Sequence, residues 1–214
     1  AAYGGALDGL YELFGVLAFA NEIYRFGEDL DNDGRVSQSE QLKYDDEQMD
    51  SKVFKAWTPF DHPQLGKVEI GGWKKFGQNN PLPPYLEDEI ERNVEFMLMQ
   101  ARALPLLSIS DVKQEYLGKN IYRLTTTILN SGFQPTELAI RFVNNKSVPV
   151  RSYLSVSNKV MVLDDEKEKE IDKINGNGKE EVSWLVHGSK GSKVTINVYH
   201  PKGGRTSKEI KLSR

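Results

Sequence analysis

Cysteine is absent from the 214 residues, which excludes disulfides, thiolate metal sites and cysteine nucleophiles. Its absence suits either a reducing cytosol or a periplasm where stray thiols are avoided. No run approaches the roughly 18 apolar residues of a membrane span, so a transmembrane helix is excluded. Neither charge sign dominates: 28 Lys+Arg stand against 31 Asp+Glu, a net charge of −3, so there is no global basic field for nucleic acid. A glycine-rich phosphate loop is also missing. Gly203-Gly204-Arg205 offers two glycines only and reads as a turn. Histidine occurs three times. His62, His187 and His200 are followed three residues on by Leu65, Lys190 and Gly203, so none opens a His-x-x-Glu zinc pair. Each reads as a hydrogen-bonded or solvated side chain. The start, Ala1-Ala2-Tyr3-Gly4-Gly5, has no initiator Met and no charged n-region with an apolar h-region. The expectation is a removed leader or a piece of a longer protein.

What is present divides in two. Residues 1–105 hold 19 acidic against 10 basic residues, and residues 106–214 hold 12 against 18. Balances of −9 and +6 suggest two parts with different tasks. In the first part Val16-Leu17-Ala18-Phe19 is a short apolar run compatible with a buried strand, with a short helix before it over Tyr11–Phe14. Pro83 and Pro84 suit a helix entry, and Glu87-Asp88-Glu89 complement the positive end of its dipole. Leu86, Ile90, Val94, Met97, Ala101 and Leu104 form one stripe, expected to pack on a core. Pro105 stops the helix.

After Pro105 the period changes to two. Ile121–Asn130, Leu138–Val143, Val150–Val156, Val182–Val186 and Val194–Tyr199 read as strands. Val182, Trp184 and Val186, then Val194, Ile196 and Val198, alternate with polar-side positions, as in antiparallel strands with one face buried. Short strands separated by turns predict a β-sandwich over residues 106–214. The charge run Asp164–Asp172 reads as a solvated connection.

Asp29 to Glu40, DLDNDGRVSQSE, has the spacing of an EF-hand loop. Such a loop wants oxygen ligands at positions 1, 3, 5, 9 and 12, a backbone carbonyl at 7 and glycine at 6. Asp29, Asp31, Asp33, Ser37, Glu40, Arg35 and Gly34 fill these in turn. Several carboxylates in so short a segment repel one another unless a divalent cation draws them together. One loop alone points to a structural calcium ion, since sensor proteins use pairs.

The remaining constellation is Gly4-Gly5-Ala6-Leu7-Asp8, then Phe19-Ala20-Asn21-Glu22. A carboxylate at the end of an apolar run can serve as a general base if its surroundings raise its pKa. This stretch resembles the C-terminal part of a zinc metallocarboxypeptidase domain of the carboxypeptidase A-like superfamily. That family carries a Gly-Gly-Ser/Ala-Ile/Leu-Asp stretch, then a Phe-x-x-Glu strand with its catalytic Glu fourteen residues after the Asp. Asp8 and Glu22 are fourteen apart (22 − 8). Trp57-Thr58-Pro59-Phe60-Asp61-His62-Pro63 and Gly66-Lys67-Val68-Glu69-Ile70-Gly71-Gly72-Trp73 are similar to a bacterial branch that also inserts an Asp-rich loop after the catalytic strand. The helix over 84–104 looks like the closing helix of the peptidase domain, and residues 106–214 resemble its appended sandwich, with Asn130-Ser131-Gly132 at a recurring turn.

The resemblance implies an α+β chain: the C-terminal piece of an α/β carboxypeptidase domain over 1–105, then an antiparallel Ig-like β-sandwich over 106–214. It implies Glu22 as the general base, Leu7 lining the pocket for the substrate's terminal side chain, and Asp8 on the inner wall. Tyr3 is out of register for the family's active-site Tyr and takes no role. The family's zinc ligands and substrate-carboxylate Arg lie upstream of this segment, so zinc belongs only to an intact parent enzyme, and this chain alone is expected to be inactive. The implied partners are a peptide substrate and the upstream catalytic half, in a secreted or periplasmic protein. A second expectation is a calcium-stabilised binding or adhesion module, with Trp57, Trp73 and Trp184 as sugar-stacking faces.

Overall fold

The computed structural model describes residues 5–81 and 83–213. Two compact units emerge: one holds the chain up to Phe19 together with Met99 onward, the other Ala20–Leu98.

The first unit is built on two four-stranded sheets. β3 (Leu107–Gly118), β4 (Ile121–Asn130), β8 (Lys179–Gly188) and β6 (Val160–Val162) lie side by side in that order. The second sheet runs β10 (Gly204–Lys211), β9 (Lys193–His200), β5 (Val150–Val156), β7 (Glu168–Ile171). Every ladder is antiparallel. The period-two pattern places Val182, Trp184 and Val186 of β8 and Val194, Ile196 and Val198 of β9 inside. Val182, Trp184, Ile196 and Val198 cluster with Leu107, Ile128, Val150 and Ile174, while Val186 and Val194 join Tyr122, Leu124, Val160 and Leu212 in a neighbouring cluster. The β-sandwich expected from the alternation is present.

Within it two local expectations change. Leu138–Val143 is not a strand: Ala139–Val143 is the short helix α4, closed by Asn144 N onto Ile140 O at 3.0 Å. The charge run is not wholly a connection, since Glu168–Ile171 pairs with β5 from Val150↔Ile171 to Tyr153↔Glu168. An edge strand tolerates charge because one of its sides meets water. The Asn130-Ser131-Gly132 turn is fixed by Asn130 itself. Its Oδ1 accepts from Leu106 N (3.0 Å) and Gly132 N (3.1 Å), and its Nδ2 donates to Gln134 O (2.8 Å) and Asn175 O (3.1 Å).

Helix α1 (Ala6–Phe14) opens the first unit and ends at Gly15, whose φ of 61° is the left-handed conformation glycine adopts freely. After it the expected strand is missing: residues 15–26 form neither helix nor strand. The reading of 1–105 as part of an α/β carboxypeptidase domain is therefore corrected. Among the described residues there is no parallel pair and no mixed sheet; the strands belong to the sandwich and to one separate hairpin. The physical reason is pairing. An apolar run becomes a central strand only when neighbours satisfy its backbone N–H and C=O groups, and no described strand flanks Val16–Phe19.

The second unit contains α2 (Gln38–Gln48), the hairpin β1 (Phe54–His62) and β2 (Gly66–Trp73), and most of α3 (Pro83–Ala103). α2 starts on a capping box: Ser37 and Glu40 each take the other's backbone N–H. Buried Asp45 ties the end of α2 to β1 by accepting from Val53 N (2.9 Å) and Phe54 N (2.7 Å). The core is small. Phe26, Met49 and Val53 are its fully buried apolar members, with Tyr24, Tyr44 and Trp73 packed around them. Phe26 meets Tyr44 and Trp73 edge to face, at 5.3 and 5.4 Å between centroids. α3 forms where the stripe and prolines predict, but no residue of it is buried. The expected packing of the stripe on a core is not met; Ile90 is 49% and Met97 57% exposed.

Candidate functional site

The Asp29–Glu40 loop folds around its own carboxylates. Gly34 turns the chain at φ 87°, and Asn32 also adopts positive φ. Asp29 accepts from Asp33 N (3.1 Å) and Gly34 N (2.8 Å), and Asp31 from Asp33 N (3.1 Å). Asp33 turns back to Arg35 N at 2.8 Å. Glu40 closes the far side: Oε1 accepts from Leu30 N (2.7 Å), while Oε2 accepts from Ser37 N (2.7 Å) and Ser37 Oγ (2.8 Å). The Ser37 backbone and hydroxyl, then the Leu30 N–H, hold the Glu40 carboxyl down to about 2. Glu40 is thus an anion at any physiological pH.

Asp29, Asp31 and Glu40 each bring a carboxylate oxygen within 4.8 Å of the others. Among the described residues no other set of three His, Asp or Glu side chains converges in this way. Of the sequence-predicted ligands, the fold gathers positions 1, 3 and 12. Asp33 spends an oxygen on Arg35 N, and Ser37 engages Glu40. The donors are all hard oxygens, which fit calcium and not a soft metal. The Arg35 contribution expected at position 7 is its carbonyl.

The residues given peptidase roles lie elsewhere. Leu7 and Asp8 sit exposed on α1 in the first unit. Glu22 belongs to the second unit, exposed in the irregular segment after Ala20. Its neighbour Asn21 is held through Nδ2 to Asn93 Oδ1 of α3 at 3.0 Å. Tyr3 and Gly4 lie outside the described residues. The donors for zinc do not fit: His62 accepts from Gln64 N and Leu65 N in its hairpin turn, both at 3.2 Å. His200 accepts from Lys202 N and Gly203 N and faces Val148 O. Both are committed to backbone.

Two groups escaped the sequence reading. Asp45 stands in an acidic run that looks like a solvated face. Glu137 lies 1% exposed, taking Lys202 Nζ at 2.5 Å, Val148 N at 3.1 Å and Leu138 N at 3.3 Å. Nothing in the local pattern around Thr136-Glu137 marks a buried charge.

The class defined by this geometry is a chain with an antiparallel β-sandwich and a separate unit bearing an acidic, EF-hand-like loop. Residues 106–211 match a family described as Domain of unknown function (DUF8731). No curated protein matches the sequence. Among solved structures it is similar to the GAE domain of Gga2p from Saccharomyces cerevisiae, with 10% identity over 50% of this chain and 88% of that one, at a TM-score of 0.29. It is also similar to DesR, a β-glucosidase from Streptomyces venezuelae solved with D-glucose. There the identity is 12% over 51% of this chain and 15% of that chain, at a TM-score of 0.26. The ASH/PapD-like domain 7 of human CEP192 gives 10% identity over 49% of this chain and 82% of that one, at 0.27.

Proposed function

We propose that this chain is the portion of a secreted or periplasmic zinc-dependent metallocarboxypeptidase that carries the general-base carboxylate Glu22, a structural calcium loop and an appended β-sandwich. The observation that supports this most is the thinness of the second unit's core. Among the described residues of Ala20–Leu98 the hydrophobic cluster is built on Phe26, Met49 and Val53, whereas a stable domain buries well over half of its surface. Around them Ile90, Val94, Met97 and Leu98 of α3 and Trp57, Phe60 and Ile70 of the hairpin are exposed. An isolated two-stranded hairpin is marginal in water, and apolar surface on this scale marks a face that another body covers. The covering body in this reading is the half of the enzyme that brings zinc and the substrate-carboxylate Arg, neither of which this chain's residues supply. Glu22 then passes from water into the interface. There its carboxylate accepts the proton of the attacking water and returns it to the leaving amine of a C-terminal peptide bond.

The test is a carboxypeptidase assay on the protein assembled with its zinc-holding half. Glu22→Gln is expected to lower kcat by about 10²–10⁴-fold, the range a positioned acid–base group supplies. Unchanged turnover in that variant would remove Glu22 from the reaction.

A second reading, the calcium-stabilised binding module, draws on Trp57, which is 59% exposed on β1. It is narrower than the sequence suggested. Trp184 is 1% exposed in the sandwich core and Trp73 packs on Phe26, so neither offers a stacking face. Oligosaccharide binding lost in Trp57→Ala, without peptidase activity in the assembled protein, would favour it.

A further inference from the structure

Helix α1 ends in a seat on the sandwich. Gly15 is buried although Tyr11–Phe14 before it and Val16–Leu17 after it are exposed. Three carbonyls at this helix end face outward from the helix, where α-helices leave acceptors without N–H partners. Each finds one side chain. Asn144 Nδ2 donates to Glu12 O at 3.0 Å, Arg141 Nη1 donates to Leu13 O, and Lys202 Nζ donates to Gly15 O at 2.9 Å. The fit is close: a Cβ on Gly15 would stand 2.5 Å from Arg141 Cγ and 3.1 Å from Lys202 Nζ. Two cations meet the negative end of the helix dipole. They come already placed, because buried Glu137 holds Lys202 at 2.5 Å and lies 3.8 Å from Arg141 Nε. No residue of α1 is itself buried, so apolar burial is not what fixes the helix.

We propose that Arg141, Asn144 and Lys202 form a receptor for a helix C-terminus, by which the β-sandwich grips the end of α1 and leaves that helix's apolar side free. The occupant is residues 12–15 of this same chain. The role so assigned to the sandwich is a tether for the segment that carries Leu7 and Asp8. It rests on contacts inside the first unit and stands whether or not the peptidase reading does.

Hydrogen exchange on the full chain tests it. In the wild type the amides of Gly9, Gly15 and Val16, which close onto Gly5, Tyr11 and Leu10 carbonyls, are expected to be protected. Asn144→Ala removes one grip and leaves the Glu137–Lys202 pair in place. It is expected to speed exchange at residues 9–16 several-fold, and Asn144→Asp, which sets a carboxylate against the Glu12 carbonyl, by about tenfold or more, with β8 and β9 unchanged. Three results overturn the proposal: no protection of α1 in the wild type, exchange unaltered in both variants, or protection lost equally from β8 and β9.

Discussion

The Lys202 ammonium lies 2.5 Å from Glu137 Oε1, and that carboxylate's side chain is 1% exposed. Removing one partner of such a pair leaves a buried charge uncompensated, at a cost of about 3–5 kcal/mol. Lys202→Met is therefore expected to lower the unfolding midpoint of the sandwich far more than Lys193→Met. Lys193 pairs with Glu209 at 2.8 Å, with both side chains more than half exposed, and exposed pairs contribute little. Urea unfolding followed by Trp184 fluorescence separates the two.

The same corner is expected to make the sandwich acid-sensitive in two stages. Burial alone would raise the Glu137 carboxyl, but the Lys202 ammonium and the Val148 N–H outweigh it, so its pKa lies below the ordinary 4.5. Burial likewise pushes His200 below the ordinary 6.5. In both, the folded state binds its proton less readily than the unfolded chain. The stability they contribute is present above the unfolded pKa and is lost as pH falls through the folded value. Stability is expected to decline from about pH 6.5 through His200 and again below 4.5 through Glu137. Glu137→Gln should flatten the lower stage. An unaltered profile in that variant would assign the acid sensitivity elsewhere.

Calcium is expected to bind once per chain at Asp29, Asp31 and Glu40, with no zinc retained, as metal analysis of the purified protein would read. Binding to the folded state alone adds about 2.7 kcal/mol at a hundredfold excess over Kd. The second unit's melting transition should rise accordingly. Asp31→Asn should weaken the affinity and keep the capping box. Glu40→Gln should weaken it and also loosen the start of α2, where Glu40 receives Ser37 N. Equal calcium response in wild type and Asp31→Asn would discard the site.

The sandwich and the loop were legible for different reasons. Val182, Trp184 and Val186 alternate because one face of a strand meets a core, and that period survives in any surroundings. The loop was legible because each position of its twelve carries a separate geometric demand. The strand at Val16–Phe19 failed because its composition says apolar, not with what it pairs. The stripe on α3 was legible as a helix and misleading as packing, since amphipathicity identifies a face that wants cover without providing it. Leu138–Val143 failed through length: six residues, five of them apolar, fit a turn and a half of helix as readily as an edge strand. Asp45 and Glu137 had no sequence signal, because the groups that hold them in burial, Val53 N and Phe54 N for the one and Val148 N and Lys202 Nζ for the other, are brought there by the fold.

Asp45 is where α2 and the hairpin depend on one side chain. Asp45→Ala strands two backbone donors, Val53 N in full burial and Phe54 N nearby. Each buried unsatisfied group costs about 1–3 kcal/mol. The loss falls on a unit whose core is Phe26, Met49 and Val53, so the variant is expected to lose the cooperative melting of that unit while the sandwich transition persists. Asp45→Asn keeps an acceptor and should retain part of it. If both variants melt like the wild type, the two hydrogen bonds are replaceable by water.

Asn130 offers the sharpest test of the sandwich. One amide side chain closes two different turns, holding Leu106 N and Gly132 N through oxygen and Gln134 O and Asn175 O through nitrogen. Asp in its place loses both donations and keeps the acceptances. Ala loses all four. Close contacts around the site bar relaxation: a Cβ on Gly132 would meet Leu104 O at 2.0 Å, and one on Gly176 would meet Phe133 O at 1.7 Å. The order of stability is expected to be wild type, then Asn130→Asp, then Asn130→Ala. The last should fall by several kcal/mol, at about 1–3 kcal/mol for each group left unsatisfied in burial. Gly176→Ala should fail in the same place by sterics alone. Gly191→Ala strains a left-handed φ of 85° yet meets nothing within 4 Å, so it should cost only the conformational penalty, about 1 kcal/mol. A Gly176→Ala variant no less stable than Gly191→Ala would mean that the 130–134 and 175–178 turns separate in solution, and the Asn130 bridge with them.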